Sequence, residues 1–391
     1  MTHPSICIRG GKVLLDDWAE VDVTTDGPII ADPGLHSAET GIVLDAKGLL
    51  VLPGIVDVHG DAFERSIMPR PGVAFDIDVA LLDVDRSLVA NGITTAFHGV
   101  TWSWEPGLRG AENVRRLMAA IERLAPRFCA DTRIHLRHET FNLAAEREII
   151  DWIAMRRIGI LAFNDHMEGT LKARHRPDKI ATMVERSGLT DGEFMGLVER
   201  VYSRKGEVPA SIERLAAAAR RAGVPMMSHD DMDPEMRRWF RALGASIAEF
   251  PLDELTAREA ATKGEPIVLG APNVLRGGSH TGCVAAAEMI AKGLCNVLAS
   301  DYYYPAMAMA PFVLAGEDEA SLADAWRLVS QGPAQALHFH DRGMIAPGLR
   351  ADIVLVESKP QPRIMATIAG GQLVYLADGC LIGSRQLSKC A

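Results

Sequence analysis

Residues with metal-binding side chains stand at the ends of apolar runs in this sequence. The segment VLPGIVDVHGDAFER places His59 and Asp61 directly after one such run, with only Gly60 between them. Because side chains alternate along a strand, His59 and Asp61 would point to the same face. An imidazole and a carboxylate on one face indicate a metal site. A strand that ends at the surface and turns polar is the alternative.

The same pattern recurs through the middle of the chain. His, Asp or Glu follows an apolar run in IHLRHET, LAFNDH, PMMSHDD and NVLASD, which gives Glu139, His166, His229 and Asp301. Each alone has an ordinary explanation, such as a structural histidine, a solvated carboxylate or a helix N-cap. Weaker candidates, either as ligands or as partners that orient a ligand, are His98, His135, His138, Asp165, Asp230 and Asp231. Together, the six main candidates predict a metal centre.

The types of these six residues indicate which metals would bind. Three histidines and three carboxylates, without cysteine, suit Zn²⁺, Mn²⁺ or Fe²⁺ and make a cysteine-rich structural zinc site a poor fit. Six ligands exceed what one four-coordinate zinc ion needs. We therefore expect two divalent ions, with zinc favoured over manganese or iron. Such a pair activates water and neutralises developing negative charge.

The elements that must position these residues form a repeating pattern. Apolar strand-like runs alternate with helical segments such as AENVRRLMAAIERLA and ASIERLAAAARRAG, which gives eight βα units. This predicts a (β/α)₈ barrel over residues 51–344, with an open doubly wound sheet as the alternative. In a barrel the carboxyl ends of the strands converge on one face, so the candidate ligands would meet there.

Both ends of the chain are rich in short strand-like runs. Residues 1–50 and 345–391 carry such runs between Gly, Pro and Asp, without a helical period. These ends predict one small β-sandwich domain assembled from both termini. Two unrelated β extensions are the alternative.

Composition restricts the partners of the protein. The chain of 391 residues has a net charge of −10, which disfavours nucleic acid and anionic membranes as partners. We see no signal peptide and no apolar run of the ~18 residues that a membrane helix needs. Six scattered cysteines without a CxxC pair suit a reducing compartment. We expect a cytoplasmic enzyme with a small-molecule substrate, and a homo-oligomer is compatible with these features.

Longer motifs resemble a known family. LPGIVDVHGD, the split β-rich ends and GMIAPGLRADIVLV resemble the amidohydrolase superfamily of metal-dependent hydrolases. The segments NGITTAFHG, IHLRHE, NDH, SHDD, IAEFP, GAPNVLRGGSHTG and ASDYYYPA are similar to one of its subfamilies, the diphosphatases of phosphonate catabolism by the carbon–phosphorus lyase pathway. These segments span almost the whole predicted barrel.

The resemblance implies roles for the candidate ligands. His59 and Asp61 would bind the first metal, Glu139 would bridge the two metals, and His166 and His229 would hold the second. Asp301 would contact a metal and act as the base that moves the proton. The diphosphatases hydrolyse a methylphosphonylated ribose 5-triphosphate to the 5-phosphate and pyrophosphate, and the same reaction is the one expected here.

A triphosphate substrate requires cationic groups near the metals, because the chain as a whole is acidic. We expect Arg70, Arg276 and His280 to contact the phosphates. The segments TWSWEPG and MEGTLKARHRPDK depart from the subfamily pattern and lie in predicted barrel loops, which select the substrate. Hydrolysis of a cyclic or N-acyl amide, with Asp301 carrying the proton to the leaving nitrogen, is the alternative. A catalytically dead scaffold is disfavoured because all six ligands are in place.

Overall fold

Eighteen strands build the sheets in the part of the chain that the structure describes. The computed structural model describes residues 4–32, 41–70, 72–173, 177–278 and 284–382. In chain order, its strands are β1 (Ile6–Arg9), β2 (Lys12–Leu14), β3 (Trp18–Glu20), β4 (Val23–Asp26), β5 (Ile29–Ile30), β6 (Ile42–Asp45), β7 (Leu50–Pro53), β8 (Ile55–Gly60), β9 (Ile93–Trp102), β10 (Asp131–Glu139), β11 (Ile160–Asn164), β12 (Met226–His229), β13 (Ile247–Glu249), β14 (Ile267–Gly270), β15 (Val297–Ala299), β16 (Ile353–Glu357), β17 (Arg363–Ala369) and β18 (Gln372–Leu376).

The strands β8 to β15 form a parallel barrel. They pair in chain order, each parallel to the next. A parallel bridge between Gly60 and Asp301 joins the two edges. At this bridge the Asp61 amide donates to the Asp301 carbonyl at 2.8 Å, and the Asp301 amide donates to the His59 carbonyl at 2.9 Å. The predicted (β/α)₈ barrel is therefore confirmed, and the open doubly wound sheet is not found.

Helices follow most barrel strands and cover the outside of the barrel. They are α1 (Phe63–Ile67), α2 (Ile77–Ala90), α3 (Ala111–Leu124), α4 (Glu146–Ala154), α5 (Met167–Ala173), α6 (Pro177–Ser187), α7 (Asp191–Tyr202), α8 (Val208–Ala222), α9 (Pro234–Leu243), α10 (Glu254–Ala261), α11 (Ala271–Arg276), α12 (Ala286–Ala291), α13 (Pro305–Ala315), α14 (Glu319–Arg327) and α15 (Gln331–Ala336). Within the described ranges, we find no helix whose length and apolar character would let it cross a bilayer.

The helical period of the sequence explains the packing of α3 and α8. In α3, Val114, Leu117, Met118 and Ile121 recur at helical spacing and are buried against the barrel. The helix α8 ends before Gly223, whose φ of 68° is the left-handed conformation that commonly terminates a helix. These two helices correspond to the two segments that the sequence predicts.

Two further sheets contain strands from the chain ends. One has the order β18-β17-β16-β7-β2-β3 and joins strands from both ends, and the other has the order β5-β4-β1-β6. Ile8, Val51 and Leu355 lie in one buried apolar cluster between these sheets. The predicted β structure built from both termini is thus present, while the exact domain boundaries stay a prediction.

Candidate metal centre

One group of candidate ligands lies where the barrel closes. Ligand atoms of His59, Asp61 and Asp301 are within 4.8 Å of one another. The strand β8 is buried along its whole length, which fixes His59 in the interior of the barrel mouth. The main-chain hydrogen bonds between β8 and the residues after β15 bring Asp301 beside it. Residues from the first strand of the barrel and from the segment after its last strand, more than two hundred positions apart in sequence, therefore form one group.

A second group lies across the mouth. Ligand atoms of His166, His229 and Asp230 are also within 4.8 Å of one another. The Asp230 Oδ2 atom lies 3.5 Å from Nε2 of His166 and 3.6 Å from Nε2 of His229. Glu139, at the end of β10, accepts a hydrogen bond of 2.6 Å from Nδ1 of His166. Glu139 thus contacts this group through His166, and its role as a metal bridge stays a prediction.

Three residues at the ends of barrel strands have unusual backbone conformations. Asp230, Phe250 and Asp301 have φ values of 59°, 54° and 53°. Non-glycine residues seldom adopt this left-handed region, and each instance costs of order 1–3 kcal/mol. Asp230 directly follows β12, Phe250 directly follows β13, and Asp301 follows β15. The strained residues therefore surround the two ligand groups, which supports a functional role for this end of the barrel.

Glu249 connects the two groups. It is the last residue of β13 and is fully buried. Its Oε1 accepts from Nδ1 of His59 at 2.8 Å, and its Oε2 accepts from Nδ1 of His229 at 2.7 Å. The Nε2 atom of His135 lies 3.7 Å from Oε2. One carboxylate therefore contacts a histidine from each group.

Arg137 lies between the same groups. Its Nη1 donates to Oδ2 of Asp61 at 3.2 Å, and its Nη2 donates to Nε2 of His229 at 3.0 Å. With its amide oxygen turned toward the guanidinium, Asn164 accepts two more hydrogen bonds from Arg137 at 3.1 and 3.2 Å. Arg137 is buried, so it supplies a fixed positive charge at the centre of the mouth.

The charge of the centre fits divalent cations. Five carboxylates (Asp61, Glu139, Asp230, Glu249 and Asp301) surround one guanidinium, which leaves a formal charge of −4 when the imidazoles are neutral. Glu139 and Glu249 are buried and the other three carboxylates are partly buried. Negative charge that is concentrated in this way is costly unless cations compensate it. The donor atoms are imidazole nitrogens and carboxylate oxygens, which suit zinc, manganese or iron. The residues present therefore fit a metal centre, and two divalent ions would balance their charge.

The same groups shift each other's pKa. Glu139 raises the pKa of His166 to about 9. Burial lowers the pKa of His59, but Glu249 and Asp61 raise it, and the pKa of His59 is higher than its ordinary value. Burial also raises the pKa of Glu249, whereas the histidines around it hold that pKa well below its usual range. Protons on His59 and His166 thus offset part of the negative charge in the cation-free protein, and metal binding would release them.

Two arginines lie together at the rim beside Asp301. Arg276, the last residue of α11, donates from Nη1 to the hydroxyl of Tyr302 at 3.2 Å. The guanidinium carbon of Arg65, on α1, lies 5.8 Å from the centre of the Tyr302 ring. Among the described residues, no carboxylate forms an ion pair with either arginine. Two uncompensated guanidinium groups around one tyrosine suit an anionic ligand.

The other predicted phosphate contacts have different positions. Arg70 is exposed and pairs through its main chain with Val73 in a short bridge after α1. His280 lies outside the described residues. The structure thus brings Arg276 together with Arg65, which the sequence did not single out.

A cavity of about 310 Å³ opens next to Glu139 and His166. Its remaining walls come from the end of β9, from the segment that follows β9, and from α5 and α6, and they are Thr101, Ser103, Trp104, Glu105, Arg109, Gly169, Thr170, Ala173 and Met183. Arg109 is held by two hydrogen bonds of 3.0 and 2.8 Å from its guanidinium to Glu64. The cavity therefore borders the second ligand group through His166.

Sequence reasoning found most, but not all, of the residues that meet here. His59, Asp61, His166, His229 and Asp301 fall in the two groups as the motif pattern suggests. Glu249 ends an apolar run in IAEFP and carries the same signal as the others. Arg137 stands two residues before Glu139, so strand alternation places both on one face. Asp230, a weak candidate in the sequence, is a full member of the second group.

Comparison with known protein families gives a match over most of the chain. A model described as the amidohydrolase family matches residues 88–375. The α-D-ribose 1-methylphosphonate 5-triphosphate diphosphatase of Escherichia coli K12 is 32% identical over 323 residues, which cover 81% of this chain and 85% of that protein. An adenine deaminase from Methylobacterium sp. strain 4-46 is 25% identical over 389 residues, which cover 94% of this chain and 58% of the deaminase.

Solved structures share the same architecture at low sequence identity. The N-isopropylammelide isopropylaminohydrolase of Burkholderia multivorans aligns with a TM-score of 0.65 at 19% identity, covering 95% of this chain and 98% of that one. Molinate hydrolase aligns with a TM-score of 0.60 at 14% identity, covering 96% of this chain and 95% of the other. At these identities the likeness concerns the fold alone.

Proposed function

The chain belongs to the amidohydrolase family, and we propose that it is a metal-dependent hydrolase that cleaves a ribose 5-triphosphate to the 5-phosphate and pyrophosphate. The substrate we propose is α-D-ribose 1-methylphosphonate 5-triphosphate. The observation that carries this proposal is the 32% identity, over most of both chains, with the diphosphatase of Escherichia coli.

Two features of the site support an anionic substrate in particular. The pair of arginines around Tyr302 lies at the rim next to Asp301, where a polyphosphate that reaches the first ligand group would pass. The carboxylate-rich centre favours bound cations, which in turn attract phosphate oxygens. When bound, divalent ions supply activation of water and compensation of negative charge.

We assign the following roles to residues of this chain. The groups His59–Asp61–Asp301 and His166–His229–Asp230 would each hold one divalent ion. Asp301 would accept the proton of the attacking water, as a carboxylate general base. Arg276 and Arg65 would bind the phosphates that lie farther from the point of attack, with the planar guanidinium of each gripping two oxygens.

The experiment that tests this function is a substrate panel on the zinc-loaded protein. The panel contains the methylphosphonylated ribose 5-triphosphate, ordinary nucleoside triphosphates, and cyclic and N-acyl amides. We expect release of pyrophosphate from the first compound with the highest kcat/KM. Turnover of an amide with no release of pyrophosphate from any triphosphate would contradict the proposal and favour the amide hydrolase alternative.

Metal content tests the two-ion centre separately. A formal charge of −4 and two ligand groups predict about two divalent ions per chain. Elemental analysis of protein that is loaded with zinc and then freed of loose metal measures this number. One tightly held ion would rule out the binuclear centre while leaving hydrolase activity open.

A further inference from the structure

Glu249 contacts two histidines that belong to different ligand groups. Its two oxygens accept from Nδ1 of His59 at 2.8 Å and from Nδ1 of His229 at 2.7 Å. The two imidazole rings are nearly parallel, with an angle of 18° between them and 5.5 Å between their centres. A carboxylate offers acceptors only, so each Nδ1 atom must carry a hydrogen.

Arg137 leads to the same tautomer of His229 by an independent route. Its Nη2 atom lies 3.0 Å from Nε2 of His229. A guanidinium can only donate hydrogen bonds, so Nε2 must be the acceptor nitrogen of that ring. The proton of neutral His229 is therefore on Nδ1, where Glu249 accepts it.

We propose that Glu249 is the positioning residue of the metal centre, because it fixes His59 and His229 together in the tautomer whose Nε2 carries the lone pair that a metal can bind. On His229 this lone pair accepts from Arg137 in the cation-free protein, so Arg137 would have to release it when a metal binds there. Hydrogen bonds of this kind on the nitrogen away from the metal orient histidine ligands. Here one carboxylate contacts a histidine of each ligand group, one through each of its oxygens. The proposal concerns the metal centre and holds whatever the substrate is.

Replacing Glu249 by glutamine separates positioning from other roles. The amide of Glu249→Gln offers one acceptor and one donor in place of two acceptors. Because Arg137 still requires Nε2 of His229 as an acceptor, the amide oxygen would face His229 and the amide nitrogen would face His59. His59 would then carry its proton on Nε2 and could no longer bind a metal through that atom. The variant should lose the ion of the group that contains His59 and keep the other.

The first measurement reads the tautomers in metal-free protein. Long-range ¹H–¹⁵N NMR at alkaline pH, where the imidazoles are neutral, distinguishes Nδ1–H from Nε2–H for the 12 histidines. In the wild type we expect the Nδ1–H form for both His59 and His229, with His59 assigned from its absence in His59→Asn. In Glu249→Gln we expect His59 alone to change form. An Nε2–H form of either residue in the wild type overturns the proposal, even if no variant folds.

The second measurement reads metal binding. Zinc titration of Glu249→Gln should show one site weakened ~10–100-fold, which is the usual effect of losing such a partner. Glu249→Asp keeps two acceptor oxygens and should retain more zinc than the glutamine variant. The matched control is Glu265→Gln, which removes another buried carboxylate that pairs with Arg241 and contacts no histidine of the centre.

Glu249 could instead be a ligand itself, since one of its oxygens also lies within 4.8 Å of ligand atoms of His59 and His229. In that case Glu249→Gln would lose zinc while the tautomers of the metal-free protein stayed as in the wild type. That combination would overturn the positioning role. A change of tautomer in the control Glu265→Gln would overturn it as well, because the effect would then not be specific to Glu249.

Discussion

Asp301 has the properties expected of a residue that moves a proton at the metal centre. It lies in one group with His59 and Asp61, and its main chain is hydrogen-bonded to both of them. Its φ of 53° is in the left-handed region, which Asn and Asp tolerate better than most residues. Asparagine is therefore the substitution that removes the charge while leaving the backbone undisturbed.

We predict that Asp301→Asn lowers kcat by at least ~10²-fold, the usual scale of a lost general base. Thermal unfolding should change little, because the backbone conformation and the barrel closure remain. Steady-state kinetics and a melting curve measure the two quantities on one preparation. Asp301→Ala is the comparison, since alanine in the left-handed region adds strain and should lower the melting temperature as well. A variant Asp301→Asn with full zinc content and the wild-type rate would exclude the role.

Glu139 should control the protonation of His166. Its carboxylate is the largest cause of the raised pKa of His166, which is about 9. We predict that Glu139→Gln lowers this pKa markedly, because burial and Arg137 both oppose the charged imidazole. NMR titration of the metal-free protein measures it, and Glu168→Gln, on the exposed face of α5, is the control. An unchanged pKa of His166 would show that the two side chains do not meet.

Single residues also show where sequence reasoning ends. His59 and His229 were predicted because histidine after an apolar strand is a recognisable metal-ligand signal. Glu249 carries the same signal in IAEFP. What distinguishes it from the other candidates is that its carboxylate contacts two histidines, which are 190 and 20 positions away in the sequence. No spacing along the chain encodes such a contact, which exists only because the barrel brings the end of β8 across its mouth to the ends of β12 and β13.

Among the elements, β10 shows how much a strand pattern can predict. His135, Arg137 and Glu139 alternate along it and all contact the interior of the barrel mouth. His138 lies between them on the other face, fully buried, and neither of its ring nitrogens has a hydrogen-bond partner among the described residues. Period-two alternation thus separates the residues of the site from a structural histidine. It does not reveal that Arg137 would lie between the ligand groups.

The rim beside Asp301 is built from three separate segments. Arg65 on α1 and Arg276 on α11 both approach Tyr302. The sequence singled out Arg276 because two glycines follow it, but it gave no signal for Arg65, whose partner is distant in the chain. If both bind phosphate, their effects should depend on each other, because two guanidinium groups would share one anion.

We predict that Arg276→Ala and Arg65→Ala each lower kcat/KM for a phosphorylated substrate, with about 2–3 kcal/mol for Arg276, the scale of a charged hydrogen bond. Arg276→Lys should raise KM, since lysine supplies a point charge instead of a planar fork. All variants should keep their zinc. Arg86→Ala, on the outer surface of α2, is the control. A large loss of stability with unchanged KM would show a structural role for the arginines.

The cavity beside His166 belongs to the elements that the sequence left undetermined. Trp104 comes from TWSWEPG, and Thr170 and Met183 come from the segments after NDH. These are the segments that depart from the diphosphatase pattern. The strands set the positions of the ligands, whereas the loops above them have no periodicity from which a cavity could be predicted. If this cavity selects the substrate, that selection depends on the segments that are least similar to the diphosphatases.

At the scale of the whole molecule, alternating apolar strands and amphipathic helices were enough to predict the barrel. The contacts that close the barrel were not predictable, because β15 has only three residues and its edge joins β8 through a parallel bridge and two main-chain hydrogen bonds. The side chain of Asp57 strengthens this seam by accepting from the Ser300 amide at 3.0 Å and from its hydroxyl at 2.6 Å. The first ligand group lies on the same seam, so metal binding and barrel closure should stabilise each other.

The stability of the whole molecule should also depend on pH through histidines that are buried without charge. Burial lowers the pKa of His98 to about 4, that of His135 to about 3 and that of His138 to about 4. In the unfolded chain each would titrate near the ordinary value of 6.5. Between these pH values the unfolded state binds more protons than the native state, so the free energy of unfolding falls as the pH falls. Above about pH 6.5 this effect vanishes, because the histidines are neutral in both states.

We predict that His98→Gln makes the metal-free protein less sensitive to acid. His98 packs against Phe63, with 5.0 Å between the ring centres, and is a member of neither ligand group, so its replacement should leave the candidate ligands in place. Each such histidine contributes up to about 1.4 kcal/mol per pH unit to the slope of the free energy of unfolding against pH. The variant should lose the contribution of His98. Urea unfolding at about pH 7 and about pH 5 measures the difference. His340→Gln, which replaces an exposed histidine, is the control whose slope is compared with that of the wild type. If His98→Gln kept that slope too, His98 would become charged in the native state as readily as in the unfolded chain, and the proposed contribution of its burial would be wrong.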